Sequence, residues 1–507
     1  MALQVYSTLS RKKEPFHKKP GDTVSMYVCG PTVYKPSHIG HMVGPIIFDT
    51  VKRYLTYCGF KVDWVVNITD VDDKLIVRAK ELGTSVKELA EKMTADYVDC
   101  LKKLNVTGID QFPRATDHIP GMIAMMERLI AKGNAYPAGG DVYFDISKDE
   151  DYGKLCNRDP EQLEAGSRVE VTDKKRNPGD FALWKGSKPG EPAWDSPWGK
   201  GRPGWHIECS VMAQALLGKT LDIHGGGLDL QFPHHENELA QSESDTGEMF
   251  ARVWMHNGLL KMGAAKMAGS VGNVVNVSDL LKKHHPDTIR FLLLNTHYRS
   301  PIEYSDEQFS NLNRALAGFY RFFERYEEIT GESFYSIKAP ATIQQHSTQS
   351  GIKFTEVEDF FKTSCEFLSD DFNTAGACAG MFEILSQLNR FADVNSDFLK
   401  EGARESNDFK RFKHGASVLR ELSNIIGLFW EPKKKETLGG GNDMVAGLLQ
   451  LLIDLRNNLR NEAKKIAAKD DPARKAMFDQ TDVIRKRLAE LGVTLEDRPG
   501  GTGWRIG

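Results

Sequence analysis

Pro36-Ser-His38-Ile-Gly40-His41 sets two imidazoles three residues apart at the start of an apolar-periodic run, hence on one face of a helix. A helix N-terminus attracts anions through its free N–H groups and its dipole, so the pair suits a phosphate. Gly40 lets a flat base approach the backbone closely. Taken alone, the same His-x-x-His is also a helix cap with two solvated histidines. Cys29, Cys209, His234 and Glu238 are metal-ligand types, and His234 and Glu238, four apart, share a helical face. Two thiolates, an imidazole and a carboxylate suit Zn²⁺, which is borderline soft and favours four ligands. The two cysteines are 180 positions apart, and His235 and Glu236 are also available, so spacing alone does not choose the ligands. His224-Gly-Gly-Gly-Leu-Asp229 reads equally as a nucleoside pocket or a tight turn after a strand. Lys266-Met-Ala-Gly-Ser270-Val-Gly-Asn carries a lysine on a glycine-rich loop, suited to meeting a phosphate but equally an ordinary surface loop.

The elements around these residues form a pattern. Val24 to Cys29 reads as a short buried strand, broken by Gly30-Pro31-Thr32. Ser37 is the expected N-cap of a helix whose apolar run is Ile39, Met42, Ile46, Ile47, Val51, Tyr54 and Leu55, and Gly59 stops it. Lys61 to Ile68 reads as the next, parallel strand, completing a βαβ unit of a doubly wound sheet, where ligands sit at strand C-termini such as Cys29. Further strand-like pieces are Val142–Ile146, Leu221–His224 and Val253–Leu260. Residues 178–206, crowded with Gly, Pro and Trp, are expected to be a long ordered loop without regular structure. After about residue 305 the chain turns helical, with heptad-like spacing through Phe361–Phe391 and Phe409–Phe429. Pro432-Lys-Lys-Lys and Leu438-Gly-Gly-Gly-Asn mark a flexible linker, followed by a helical tail with a final strand-like stretch from Gly492 to Glu496.

Composition bounds the class. With 507 residues, 40% hydrophobic, 27% charged and 9% aromatic, the chain reads as globular, with two to four domains. Whole-chain disorder, collagen and coiled coil are excluded. No window is long and apolar enough for a signal peptide or a membrane span. The seven cysteines, at 29, 58, 100, 156, 209, 365 and 378, form no disulfide framework, so a reducing cytoplasm is expected. A net charge of −4 argues against a mainly electrostatic nucleic-acid binder but allows local basic surfaces.

Taken in order, these segments resemble the cysteinyl-tRNA synthetases, within the class I aminoacyl-tRNA synthetases, over almost the whole chain. The most specific pieces are Tyr27-Val-Cys-Gly-Pro-Thr-Val-Tyr34, His38-Ile-Gly-His41, Asn67-Ile-Thr-Asp-Val-Asp-Asp-Lys74, Gly201-Arg-Pro-Gly-Trp-His-Ile-Glu-Cys209 and the run from Asp222 to Glu238. Asp370-Asp-Phe-Asn-Thr374 is similar to the family's helical domain, and Leu488 to Trp504 to its C-terminal end. The resemblance implies one Zn²⁺ per chain held by Cys29, Cys209, His234 and Glu238, with the substrate thiolate on the same ion. It implies a cysteine pocket lined by Thr69, Trp205 and His224, with Asp229 on the side facing the adenylate. ATP, with Mg²⁺, is expected to meet Gly30, Thr32, His38, Gly40, His41, Gly226, Gly227 and Lys266, and His38, His41 and Lys266 to be catalytic.

The implied fold is α/β: a Rossmann-type doubly wound parallel-sheet catalytic domain with an insertion, then a mostly helical domain and a small anticodon-binding domain. The expected boundaries are 1–110 and 201–300 for the two catalytic halves, 111–200 for the insertion, 301–432 for the helical domain, 433–442 for the linker and 443–507 for the tail. The implied function is a monomeric cytoplasmic cysteine–tRNA ligase with tRNA(Cys), ATP and L-cysteine as partners and no membrane. The family's mobile loop usually reads Lys-Met-Ser-Lys-Ser; here Ala268 and Gly269 replace its serine and second lysine, so that lysine's ATP role does not carry over, although Lys261 lies nearby. Residues 451–507 hold twelve Lys and Arg against nine Asp and Glu, a modest excess. Resemblance rather than charge assigns this tail to the anticodon, with Asp482, Asp497 and Trp504 as the matching positions. Two alternatives are a non-catalytic tRNA-binding paralogue, to which Gly269 points, and a cysteine ligase with a small-molecule acceptor, against which the tail argues.

Overall fold

The computed structural model describes residues 2–157, 174–262, 265–266, 274–349, 351–395, 404, 406–433, 442–468, 470–498 and 501–506. The chain forms two compact units, Met1–Pro432 and Lys433–Gly507.

Strands β1 (Gln4–Ser7) and β2 (Lys12–Pro15) make an N-terminal hairpin. β3 (Thr23–Val28), the helix Gly40–Tyr57 and β4 (Lys61–Val66) form the expected βαβ unit, in register from Thr23↔Lys61 to Val28↔Val66. A second antiparallel sheet follows: β5 (Ala135–Ala138), β6 (Asp141–Phe144), β7 (Phe181–Gly186) and β8 (Gly201–Pro203). The helix Trp205–Leu217 then returns the chain to β9 (Leu221–Gly227), and the helix Glu236–Thr246 leads to β10 (Ala251–Asn257). The main sheet has the order β10-β9-β3-β4, all parallel. Its residues alternate between two apolar layers, as a sheet covered on both faces requires. Met26, Val28, Trp64 and Val66 pack with the helix Gly40–Tyr57. Tyr27, Val65 and Trp254 pack with Ile207, Cys209 and Leu239.

Beyond it, β11 (Leu260–Met262), β12 (Ala265–Lys266) and β13 (Ile302–Glu303) form a small sheet. The helices Asp306–Thr330, Thr355–Ser369, Thr374–Val394 and Asn407–Ile426 share a core with Phe319, Phe361, Met381 and Phe412. The predicted heptad run breaks at Asp371, whose carboxylate accepts hydrogen bonds from the Tyr6 N–H, the Tyr298 hydroxyl and Arg299 Nε. A fully buried pair, Arg290 Nη2 to Asp49 Oδ2 at 2.8 Å, fixes the helix Gly40–Tyr57 from behind, and Arg290 also donates to the carbonyls of Leu104 and Ile426. Among the described residues no helix is long and apolar enough to cross a membrane.

The second unit has helices Asn442–Lys465 and Pro472–Glu490 and a hairpin of β14 (Val493–Arg498) and β15 (Gly501–Ile506) around Leu449, Ile453, Leu488, Val493 and Leu495. The final strand-like stretch is therefore half of a hairpin. Most of the predicted linker, 434–441, lies outside the described residues.

Three local expectations are corrected. Ser37 is not the N-cap: the helix starts at Gly40 after Ile39 with no side-chain cap, because Ser37 is held outside it by Asp96 Oδ2 on its N–H and Val277 N–H on its carbonyl. Residues 178–206 are not loop throughout: they supply β7 and β8, and the long irregular stretch expected there shrinks to 187–200, between those strands. The three glycines after His224 are not a turn: they continue β9, with Gly225, Gly226 and Gly227 opposite Met255, His256 and Asn257.

Candidate active site and metal centre

From β3 the chain moves to β4 on one side, and from β9 to β10 on the other, so strand order reverses between β3 and β9. Doubly wound sheets bind ligands beyond the strand ends at such a switch point. Cys29 sits there, its N–H bonded to the Gly225 carbonyl at 3.0 Å. Gly30 donates to Asn67 Oδ1 at 2.8 Å, and a Cβ at Gly30 would lie 1.8 Å from the Asn67 carbonyl oxygen. Only glycine lets the two strand ends close in this way. Past them, Thr32 and Thr69 pair as a parallel bridge, which places Thr69 at the crevice floor.

Cys29, Cys209, His234 and Glu238 converge, each offering one ligand atom, with all four atoms within 4.8 Å of one another. Sγ of Cys29 lies 3.7 Å from Sγ of Cys209 and 3.4 Å from Glu238 Oε1; Cys209 Sγ lies 3.6 Å from His234 Nε2, which is 2.9 Å from Glu238 Oε1. Tetrahedral Zn²⁺, with bonds of about 2.3 Å to sulfur and about 2.0–2.1 Å to nitrogen, has ligand edges of about 3.8 Å for S···S and about 3.6 Å for S···N. The donor set and the spacing of its sulfur edges therefore fit this ion. Burial pushes the Cys29 thiol well above its ordinary value. Burial also opposes charge on His234, yet Glu238 and Cys209 draw that imidazole up to about 10, and Glu238 stays well below the carboxylate range against its own burial. Protons and charge are thus shared across the cluster, and a dication binds in exchange for such protons. His206 Nδ1 lies 3.0 Å from His234 Nδ1, and burial holds His206 well below its ordinary value, so its ring is able to accept Nδ1–H from a His234 that turns Nε2 to the cluster.

Of the expected pocket residues, Trp205 and His224 touch this cluster. Trp205, 38% exposed, stacks on His234 with centroids 4.1 Å apart. Thr69 is buried and donates to Glu208 Oε2 at 2.9 Å. His224 is fully buried, stacks on Trp254, and meets Glu238 Oε2 through Nε2 at 2.8 Å. Asp229 lies in the exposed turn after β9. Arg202, just before Trp205, pairs with Asp73, just after the Thr69 loop, joining two walls of the crevice.

His38 and His41 lie with ring centroids 3.7 Å apart and planes tilted by 31°, His38 preceding the first helical residue, Gly40. Burial, with Lys35 nearby, lowers His38 to about 4, and burial with His38 lowers His41 to about 3. Both are therefore neutral N–H donors near pH 7. The chain leaving the Lys266 loop is bonded to this motif, Ile39 N–H to the Val275 carbonyl at 3.0 Å and Val277 N–H to the Ser37 carbonyl at 2.9 Å. The backbone of Lys266 lies in β12 opposite Lys261. Ala268, Gly269 and Ser270 lie outside the described residues.

The sequence motifs alone do not point to His206 and Glu208. For His206 the signal is helical spacing, three residues before Cys209; Glu208, adjacent to Cys209, carries no such signal. In the second unit, Asp482 is exposed on its helix. Asp497 is held by Arg456 at 2.7 and 2.9 Å and by Arg460 at 2.7 Å, which pull it well below the carboxylate range. The backbone of Trp504 lies in β15 opposite Leu495.

Residues 15–314 match the model of the tRNA synthetases class I (C) catalytic domain, and residues 365–430 match the DALR domain. Cysteine–tRNA ligase of Aquifex aeolicus is 42% identical over 100% of this chain and 99% of that protein. Cysteine–tRNA ligase of Pseudomonas paraeruginosa is 43% identical over 99% of each. A solved structure of Mycobacterium tuberculosis methionyl-tRNA synthetase in complex with methionyl-adenylate superposes with a TM-score of 0.58 at 17% identity, covering 85% of this chain and 94% of that one, a likeness of fold.

Proposed function

The chain belongs to the cysteine–tRNA ligases of the class I aminoacyl-tRNA synthetase family, and we propose that the crevice between β3 and β9 is where it activates cysteine. Full-length likeness to ligases, tail included, does not favour the small-molecule acceptor or the non-catalytic paralogue. The observation that carries the site assignment is the convergence of Cys29, Cys209, His234 and Glu238 in that crevice. These four residues would hold Zn²⁺. When bound, that ion supplies a thiophilic contact that favours a thiolate over the harder, protonated hydroxyl of serine.

Thr69, Trp205 and His224 hold the amino acid with its carboxylate turned toward the His motif, and Asp229 faces the adenylate. ATP, with Mg²⁺, lies along Gly30, Thr32, Gly226 and Gly227, and its phosphates meet the uncapped helix start at Gly40. The cysteine carboxylate attacks the α-phosphorus; the bond to the β-phosphate oxygen breaks and pyrophosphate leaves. Neutral His38 and His41 donate N–H bonds to oxygens on which charge builds, at a desolvated site where such donors count most. Lys266 neutralises the departing pyrophosphate. A terminal ribose hydroxyl of tRNA then attacks the acyl carbon and AMP departs. A cytoplasmic location fits the family and the free cysteines.

We assign residues 443–507 to the anticodon. Of the two aspartates expected there, Asp482 is the better contact, because Asp497 is already engaged by two arginines. Truncation after Lys435 should leave ATP–pyrophosphate exchange within about twofold while lowering tRNA charging about 10²-fold, the scale of one or two lost base contacts. A parallel fall in both activities would make the tail a stability element, and unchanged charging would remove its RNA role.

A further inference from the structure

Glu238 turns its two carboxylate oxygens to different partners. Oε1 faces His234 at 2.9 Å and Cys29 at 3.4 Å, whereas Oε2 faces His224 Nε2 at 2.8 Å. Beside it stands His235, whose Nδ1 is bonded to His256 Nε2 at 2.8 Å, with His256 Nδ1 bonded in turn to Thr8 Oγ1 at 2.8 Å. That chain fixes the ring, yet His235 Nε2 is buried without a hydrogen-bond partner, as is His224 Nδ1. Both histidines are 0% exposed. Cys29, His224, His235 and Glu238 form a second set of four ligand atoms within 4.8 Å of one another.

We propose that this second set is an overlapping seat for another borderline-soft divalent cation, zinc or cadmium, sharing Cys29 and Glu238 with the first. The inference rests on the first set being the resident zinc site. Its chemistry favours a pair. A carboxylate with one oxygen on each set and a thiolate common to both are groups that bridge two ions. Two thiolates, a carboxylate and one dication leave a net negative charge in a buried site, so a further cation is attracted strongly there. The added ligands, two imidazoles, suit the same class of metal. His224 belongs to the proposed cysteine pocket, so an ion on it and Glu238 Oε2 takes space and ligands that the incoming sulfur needs. Excess zinc is thus a competitive inhibitor with respect to cysteine.

The test uses the full-length protein in solutions of buffered free zinc or cadmium, with bound metal counted by elemental analysis. Wild type should bind one ion tightly and a second at higher free metal, and cadmium NMR should show two resonances, one from the two-cysteine set and one from the one-cysteine set. His235→Asn keeps an amide where Nδ1 bonds His256 and removes the ring edge bearing Nε2; it should retain the first ion and lose the second, and His235→Gln should behave alike. At free zinc about ten times the second dissociation constant, mass action raises the apparent KM for cysteine about tenfold in wild type, and not in His235→Asn. A single ion and a single cadmium resonance at all concentrations overturns the proposal. So does a second ion retained in both variants, or one that does not compete with cysteine. Failure of the first ion to bind would instead overturn the ligand set on which the proposal rests.

Discussion

Cys209→Ser should lose most of its bound zinc and raise the KM for cysteine by at least ~10²-fold, since altering even the partners of metal ligands commonly costs about 10–100-fold. Cys209 is 1% exposed in the helix Trp205–Leu217 and packs against Cys29 and His234. Serine fills nearly the same volume, so the fold should survive, as an unchanged melting profile of the metal-free form would show. The hydroxyl is harder and stays protonated, so it does not replace the thiolate. ATP binding should change little, because the His motif stands on another helix. Full zinc content with unaltered cysteine KM would show that Cys209 is a core residue and not a ligand.

Lys266→Ala should slow adenylate formation by at least ~10²-fold, with a smaller effect on cysteine affinity. A cation that meets developing charge mainly in the transition state is worth ~10²–10³ in rate, or about 2.7–4 kcal/mol. This chain has glycine at 269 where the family's second lysine usually stands, so Lys266 is expected to carry more of the task. Lys261, whose backbone stands opposite Lys266 in the β11–β12 register, is the expected helper. Gly269→Lys should then give little gain in ATP–pyrophosphate exchange. A mild Lys266→Ala together with a strongly faster Gly269→Lys would mean that the altered loop is impaired rather than compensated.

The βαβ unit was legible because its signals are local: a buried strand, a 3.6-residue period from Ile39 to Leu55, and Gly59 at its end. The metal set was not legible from spacing, because it depends on sheet order. β9 lies beside β3 although nearly two hundred residues separate them, and only that adjacency brings Cys209, His234 and Glu238 to Cys29. Resemblance supplied what periodicity lacked. The stretch 178–206 misled because glycine and proline usually mark loops. Here glycine serves close strand packing: a Cβ at Gly204 would lie 1.9 Å from the Ala182 carbonyl oxygen. Ser37 misled because its side chain suits a cap, whereas the segment Val275–Val277 pulls its backbone into tertiary pairing. The same pairing ties the exit of the Lys266 loop to the His motif, a coupling no local pattern announces.

The most direct test of the account is ATP–pyrophosphate exchange with cysteine and with serine, before and after zinc is stripped by a chelator. A pocket that relies on packing separates such near-isosteres by only ~10²-fold, whereas a site demanding a specific polar group reaches ~10⁴–10⁵. Zinc-replete protein should prefer cysteine by at least ~10⁴-fold. Stripped protein should lose cysteine activation and regain it when zinc is returned. Normal cysteine activation by stripped protein, or ready seryl-adenylate formation by the zinc-replete form, would contradict metal-based selection.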